Sequence, residues 1–231
     1  MNTVYFALLI AAAYLLGAMP LSYLAARRAK GIDLRKYGTG QVGAGNLYRT
    51  TSRKLGFTVA LFDIAKGIIM IAVAHALGFS AGQQLIVGIA ALVGHNWSVF
   101  LRFSGGRGIG TTGGVILILP LLNDVTIWGM LSFVAIGGLG LLIFKSSPLP
   151  VIIGIALLPV ISFLAQDPAS VTPGYLLLLL IVAMKRVLIP VSPEARSLNK
   201  GTLALNRLLF DRDIRDRKAW MARKPEGGAV Q

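Results

Sequence analysis

The sequence predicts an all-α integral membrane protein with several spanning helices. Its 231 residues are 55% hydrophobic and only 14% charged, and the mean hydropathy is +0.72. The apolar residues lie in long blocks, and a helix needs about 20 such residues to cross the hydrocarbon core of a bilayer. The basic residues, in contrast, concentrate beside these blocks, which is typical of cytoplasmic loops in membrane proteins.

Six apolar blocks define the predicted membrane segments. In chain order they are Thr3 to Ala26, Leu55 to Leu77, Gln83 to Phe103, Thr112 to Phe144, Pro148 to Ala165 and Gly174 to Met184. If the fourth block were one span, the basic carboxyl-terminal tail would lie outside the cell, against the positive-inside rule. We therefore predict a break at Leu122-Asn123-Asp124.

This break gives seven transmembrane helices, with the N-terminus outside and the C-terminus cytoplasmic. The segment before Asn123 has only about ten apolar residues, fewer than the roughly 17 that a span usually needs. Five spans plus a re-entrant hairpin are therefore the alternative. Both counts are odd, so both keep every basic loop on the cytoplasmic face.

The net charge of +14 does not indicate nucleic-acid binding once its distribution is considered. Eight of the 23 Lys and Arg residues lie between Arg27 and Lys54, and eleven lie from Lys185 onward. Both clusters adjoin apolar blocks, where basic residues orient the protein and attract anionic headgroups. We expect anionic membrane lipids as partners and no nucleic acid.

The chain divides into a polytopic membrane domain, residues 1–186, and a cytoplasmic tail, residues 187–231. The tail is too polar to span a membrane. Apolar and basic residues alternate in it at helical spacing, which predicts an amphipathic helix lying in the interface. The end of the tail, Lys224 to Gln231, is predicted to be disordered.

Two glycine-rich loops on the predicted cytoplasmic face are candidates for chemistry. The first is Gly38 to Arg49, and the second is Phe103 to Gly110. Glycines let backbone N–H groups approach an anion closely, and each loop supplies an arginine that pairs with phosphate. A dinucleotide site is not expected, because the first loop lies between membrane spans and not in a βαβ unit. A flexible linker and a plain glycine turn are the alternatives for the two loops.

Ionisable residues within the spans are the other candidates. Asp63 and Lys66 are three residues apart and so share one helical face, where they form either a functional pair or a structural ion pair. His95 adds a polar group to the next span. With no cysteine and two histidines, a metal site is not expected.

The motifs together resemble the bacterial acyl-phosphate:glycerol-3-phosphate acyltransferases, the PlsY family. The resemblance rests on Gly38 to Arg49, on Asp63-Ile64-Ala65-Lys66-Gly67, and on Gly94-His95 followed by Gly105-Gly106-Arg107-Gly108, in that order and at matching separations. It implies transfer of a fatty acyl group from acyl phosphate to the 1-hydroxyl of glycerol 3-phosphate, which yields lysophosphatidic acid in phospholipid biosynthesis. It also implies a multi-pass protein of the bacterial inner membrane, with a cytoplasmic active site and neither metal nor cofactor.

Carried over position by position, the resemblance implies two groups of site residues. The residues implied to be catalytic are Asn46, Arg49, Lys66 and Arg107. Those implied to bind substrate or phosphate are Thr39, Gly40, Gly43, Asp63, His95, Gly105, Gly106, Gly108, Ser146 and Ser147. An acyl phosphate is already activated, so orientation and positive charge are the main requirements of such a site.

The sequence departs from the family pattern in both loops and in the tail. It has Thr39, Gln41, Gly45 and Arg107 where the family has serine, asparagine, threonine and lysine. In the tail, Gly201 and Ala204 occupy positions where the family has histidine and asparagine. Either Asn199, Lys200 and Asn206 replace them, or the protein uses another acceptor, or it is a non-catalytic scaffold or a carrier of small phosphorylated anions.

Overall fold

A computed structural model describes residues 3–144, 147–189, 191–216 and 219–220. Within these ranges the regular structure is helical. The α-helices are α1 (Thr3–Ala18), α2 (Leu21–Lys30), α3 (Ala44–Thr50), α4 (Arg53–Ala76), α5 (Ala81–Asn96), α6 (Ile109–Leu122), α7 (Trp128–Phe144), α8 (Pro148–Leu164), α9 (Val171–Val187) and α10 (Lys200–Phe210). Short 3-10 turns cover Leu34–Lys36, Val99–Leu101 and Pro193–Ala195.

Each predicted apolar block contains helix. The segments Thr3–Lys30, Arg53–Ala76 and Ala81–Leu101 are long and apolar enough to cross a membrane. Helices α6, α7 and α8 are shorter, with 14, 17 and 17 residues. At 1.5 Å per residue α6 is about 21 Å long, shorter than a typical hydrocarbon core of about 30 Å.

The predicted break in the fourth apolar block is confirmed. Helix α6 ends at Leu122 and α7 begins at Trp128. Beside this break, the Asn123 side-chain amide donates to Gln84 Oε1 at 2.8 Å, and the Gln84 amide donates to Asn123 Oδ1 at 2.9 Å. This reciprocal pair satisfies two polar groups at once, and Gln84 is completely buried.

The chain forms two compact units. Met1–Met70 and Val87–Gly114 belong to the first, and Ile71–Ile86 and Val115–Trp220 belong to the second. In the second unit, α8 packs against α7 and α9, and α10 packs on both α8 and α9. The segment predicted to be an amphipathic interfacial helix is therefore helical over Lys200–Phe210 and packs on other helices, while its place at the interface stays a prediction.

In the first unit, helices α1 and α5 approach each other at two glycines. A Cβ atom on Gly17 would collide with the Ala91 carbonyl, and one on Gly94 would collide with the Tyr14 carbonyl. Small residues allow such backbone contact between membrane helices. The Tyr14 hydroxyl also donates to the Trp97 carbonyl at 2.8 Å.

The first predicted span is interrupted between α1 and α2. Pro20 has no N–H with which to continue the helical ladder. The Leu21 N–H bonds to the Met19 carbonyl at 3.1 Å and not to that of Gly17. Backbone carbonyls at the end of α1 are therefore left without helical partners.

Side chains from other segments satisfy these carbonyls. The Lys66 ammonium donates to the carbonyls of Gly17, at 3.1 Å, and Met19, at 2.8 Å. The Ser98 hydroxyl donates to the Ala18 carbonyl at 2.6 Å. Lys66 and Ser98 are both buried, so the break is a fixed feature of the fold.

Some of the residues discussed above lie outside the described part of the chain. They are Ser146 and the predicted disordered end, Lys224 to Gln231.

Candidate active site

The first glycine-rich loop is organised by Asn46. Its side-chain oxygen accepts from the Thr39 N–H at 3.1 Å. Its amide nitrogen donates to the carbonyls of Leu34, at 3.2 Å, Tyr37, at 2.9 Å, and Gln41, at 3.0 Å. Because one buried side chain bonds to four points between Leu34 and Gln41, Asn46 fixes the backbone at the start of the loop to the segment before it.

The glycines of this loop have distinct local roles. Gly40 has a φ of +71°, a left-handed conformation that glycine adopts without a steric penalty. Gly43 precedes α3, and its carbonyl accepts from the N–H groups of Asn46 and Leu47, each at 3.1 Å. The Thr39 side chain is buried beneath the loop.

Arg49 lies on the exposed side of α3. Its Nη1 atom is 3.6 Å from the position that a Cβ atom on Gly45 would occupy. The guanidinium therefore lies over the one position of this loop that departs from the family in chemical class. A threonine side chain at position 45 would make ordinary contact with Arg49.

The second glycine-rich loop folds against the end of α5. The Gly106 N–H donates to the His95 carbonyl at 3.0 Å, and a Cβ atom on Gly105 would lie only 2.6 Å from the Asn96 carbonyl oxygen. Gly108 has a φ of +68° and leads into α6. Each of these positions therefore requires glycine for close approach or for its backbone conformation.

The two loops are in contact. A Cβ atom on Gly106 would lie 2.5 Å from the carbonyl oxygen of Val42 in the first loop. With the Gln41 amide turned so that its oxygen faces Arg107, that oxygen accepts from Nη2 at 2.9 Å and from Nε at 3.3 Å. In this amide orientation, Arg107 lies at the junction of the two loops.

Asp63, Lys66 and His95 form a buried polar cluster beside this junction. Lys66 Nζ lies 3.1 Å from Asp63 Oδ1, and His95 Nδ1 lies 3.4 Å from the same oxygen. The predicted pairing of Asp63 with Lys66 is confirmed. Lys66 has three N–H groups, and Gly17, Met19 and Asp63 supply three acceptors for them.

A small cavity of about 10 Å³ adjoins the cluster. Asp63, His95, Gly105 and Gly106 line it, together with the interrupted segment from Gly17 to Ser22. This volume suits one water molecule at most. The cavity is therefore too small for a phosphate group. Outside it, Arg49 is exposed and Arg107 is partly exposed.

The predicted serine pair is only partly described. Ser147 directly precedes α8 in the second unit and is partly buried. Ser146 lies outside the described residues.

The tail contains a polar cluster that sequence reasoning missed. Arg207 Nε donates to Asp213 Oδ1 at 2.7 Å, and Arg207 Nη1 donates to the Val187 carbonyl at 2.7 Å. The other Asp213 oxygen accepts from the Ser192 N–H at 2.8 Å. Burial opposes ionisation of this carboxyl, but these hydrogen bonds outweigh it, so the pKa of Asp213 lies below its usual range.

The tail asparagines considered as replacements for the family's histidine and asparagine have local partners. Asn199 Oδ1 accepts from the Thr202 N–H at 2.8 Å and so caps α10. The Asn206 amide donates to the Asp213 carbonyl at 2.9 Å. Both side chains therefore stabilise the tail itself.

The apolar helices, together with a buried charge cluster behind two Gly/Arg loops, are typical of a multi-pass membrane protein that binds an anionic ligand. The crystal structure of PlsY (YgiH), an integral membrane glycerol 3-phosphate acyltransferase, in its glycerol 3-phosphate form, is similar to this chain. The TM-score is 0.68 at 28% identity, over 79% of this chain and 88% of that one. The lysophosphatidic acid form of PlsY gives a TM-score of 0.65.

Sequence relatives agree with this structural similarity. Glycerol-3-phosphate acyltransferase 4 of Dehalococcoides mccartyi strain CBDB1 is 41% identical over 94% of both chains. Glycerol-3-phosphate acyltransferase 5 of strain ATCC BAA-2266 is 38% identical over 94% of this chain and 93% of its own. The family description "Glycerol-3-phosphate acyltransferase" matches residues 7–191. The chain belongs to this acyltransferase family and is an all-helical, multi-pass integral membrane protein.

Proposed function

We propose that the protein transfers a fatty acyl group from acyl phosphate to the 1-hydroxyl of glycerol 3-phosphate. The acceptor oxygen attacks the acyl carbon, the bond from that carbon to the phosphate oxygen breaks, and lysophosphatidic acid and inorganic phosphate leave. The proton of the hydroxyl passes to the released phosphate. The observation that carries this proposal is the junction of the two Gly/Arg loops at Gln41 and Arg107.

Both substrates carry phosphate, so cations at the loop surface are the central requirement. Arg107 is placed to bind phosphate at the junction, and the exposed Arg49 is placed to bind it from the first loop. Positive charge fixed at these points stabilises the charge that develops on the leaving phosphate. Gly43 leaves the backbone of the first loop open to the ligand, because no atom lies within 4 Å of its Cβ position. Gly105, Gly106 and Gly108 let the second loop pack closely beneath the site.

Asn46 and Lys66 act as positioning residues in this proposal. The Asn46 side chain is fully engaged with the loop backbone. Lys66 would have to give up a bond to Gly17, Met19 or Asp63 before it could bind phosphate. Its role is to hold the interrupted first span, and Asp63 links it to His95 beneath the second loop.

The proposed topology has seven spans, an outside N-terminus and a cytoplasmic C-terminus. The helix boundaries support it, because α6 and α7 divide the fourth apolar block and all basic clusters then share one face. If α6 does not cross completely, five spans and a re-entrant hairpin give the same orientation. The site then faces the cytoplasm at the bacterial inner membrane, close to anionic headgroups.

The test is acyl transfer by purified protein reconstituted in lipid, from palmitoyl phosphate to radiolabelled glycerol 3-phosphate. Labelled lysophosphatidic acid is expected from the wild-type protein and from Lys54→Ala, which removes an exposed charge near the first loop. Arg49→Ala and Arg107→Ala are expected to lose most of the product. No product from wild-type protein that still binds both substrates would overturn the proposal.

A further inference from the structure

An apolar groove of about 380 Å³ lies between α2 and the first turns of α4. Leu21, Leu24, Ala25 and Arg28 line it from α2, and Leu55 and Val59 line it from α4. The spacing i, i+3, i+4, i+7 on α2 and i, i+4 on α4 puts each set on one helical face. Two apolar stripes therefore face each other across an open groove.

The groove has a basic end and an apolar end. The Lys30 ammonium donates to the Thr50 carbonyl at 2.8 Å, so the end of α2 lies beside the end of α3, just before α4 begins at Arg53. Arg28 and Leu55 are therefore at the same end of the groove, and Leu21 is about 10 Å away along α2. Arg28 is exposed, and Lys30, Arg53 and Lys54 add positive charge at that end.

We propose that the groove binds one anionic phospholipid of the surrounding bilayer. One acyl chain lies between the two apolar stripes, and the headgroup phosphate pairs with the Arg28 guanidinium. The polarity of the groove matches that of a lipid in the cytoplasmic leaflet, with charge at the headgroup level and apolar wall toward the membrane interior.

The same wall supports the first glycine-rich loop. Val59 belongs to a buried cluster with Ala26, Leu34 and Leu47. Leu34 precedes the loop and Leu47 follows Asn46, so a lipid chain against this wall stabilises the segment that Asn46 organises. The groove therefore provides an interaction surface distinct from the loop junction at Arg107.

The proposal is tested by native mass spectrometry of the full-length protein in detergent. The protein is mixed with equal amounts of phosphatidylglycerol and phosphatidylcholine that have the same acyl chains. One phosphatidylglycerol is expected to be retained in preference to phosphatidylcholine. Leu24→Trp fills the groove and Arg28→Gln removes its charge, and each is expected to lower retention about tenfold. Leu24 is 51% exposed, so the larger side chain does not disturb the core.

Two control variants make the result specific. Leu61 is also 51% exposed and lies on α4 outside the groove, so Leu61→Trp is expected to retain the lipid. Arg102→Gln removes an exposed charge elsewhere and is expected to do the same. Equal retention of the two lipids, or equal losses in the controls, would overturn the proposal. It would also be overturned if Leu24→Trp raised the KM for palmitoyl phosphate and left phosphatidylglycerol retention intact, because the groove would then hold the acyl donor.

Discussion

Lys66 Nζ lies 2.8 Å from the carbonyl oxygen of Met19, across the interruption in the first span. A lysine that the family motif suggests as a phosphate-binding cation thus bonds to the backbone between α1 and α2. Its third partner is Asp63, which also faces His95. Lys66 has two candidate roles, binding of substrate phosphate and support of the backbone. Replacing Lys66 lowers activity in either case, so stability must be measured as well.

Replacing Lys66 by methionine is expected to destabilise the protein by about 3 to 5 kcal/mol, because Asp63 is left buried without its cation. The double variant Asp63→Asn/Lys66→Met should recover part of this loss. Thermal unfolding in detergent measures both, and Lys66→Arg, which keeps the charge, should retain more activity than Lys66→Met. A normal unfolding temperature for Lys66→Met, with a raised KM for glycerol 3-phosphate, would show instead that Lys66 binds substrate.

Gln41→Glu should place a carboxylate against Arg107, where the amide oxygen, with the amide turned toward the guanidinium, lies 2.9 Å from Nη2. The new ion pair competes with substrate phosphate for the guanidinium. The KM of the phosphorylated substrates is expected to rise about tenfold or more, since a hydrogen bond to a charged group contributes about 1.5 to 3 kcal/mol. Gln41→Ala, which removes the partner without adding charge, is the control. Equal kinetics for the two variants would contradict phosphate binding by Arg107.

Gly106→Ala should impair transfer, because the added Cβ atom would lie 2.5 Å from the Val42 carbonyl oxygen and also against the His95 ring. The two loops must then separate, which moves Arg107 away from Gln41. Gly137→Ala in α7 is the matched control, since no atom lies within 4 Å of the Cβ position there. Steady-state kinetics with both substrates compares the two variants. Full activity of Gly106→Ala would mean that the contact between the loops is dispensable.

Asp213 makes the stability of the tail depend on pH. The pKa of Asp213 is lowered in the folded protein. The stabilisation that Asp213 provides is therefore complete above its pKa in the unfolded protein, about 3.9, and is lost as the pH falls through its lower pKa in the folded protein. Wild-type unfolding temperatures are expected to fall below about pH 4. Asp213→Asn should be less stable at pH 7 and should lose less on acidification, whereas Asp124→Asn, at an exposed carboxylate, should follow the wild type. Parallel curves for the wild type and Asp213→Asn would exclude this role.

Addition of a metal chelator should leave acyl transfer unchanged. In the ranges that the structure describes, no group of three or more His, Cys, Asp or Glu residues is arranged to hold a metal ion. The reconstituted assay with and without chelator is the measurement. Activity that falls with the chelator and returns with added metal would contradict this expectation.

The sequence predicts much of the fold because membrane helices are encoded in local stretches of apolar residues. The break at Asn123 followed from charge alone, since only a break keeps the basic tail on the cytoplasmic face. The pairing of Asp63 with Lys66 followed from their spacing on one helix. These features depend on residues close together in the chain.

The partners of these residues depend on contacts between distant segments, and they could not be predicted. Pro20 indicates that carbonyls are freed, but nothing local shows that Lys66 and Ser98 bond to them. The contact between Arg207 and Asp213 was likewise missed, because the composition around Asp213 indicates only a polar tail. The family motif identified Asn46 as a site residue, but its hydrogen bonds to the backbone of distant residues such as Leu34 could not be predicted from the motif.

The glycine contacts between α1 and α5 limit which parts of the site can move. At Gly17 and Gly94 the two backbones are so close that a Cβ atom would not fit between them. We expect them to behave as a rigid frame during turnover. Lys66 and Ser98 tie the break at Pro20 to the same frame, so we expect the opening that admits a long acyl chain to come from other segments of the first unit.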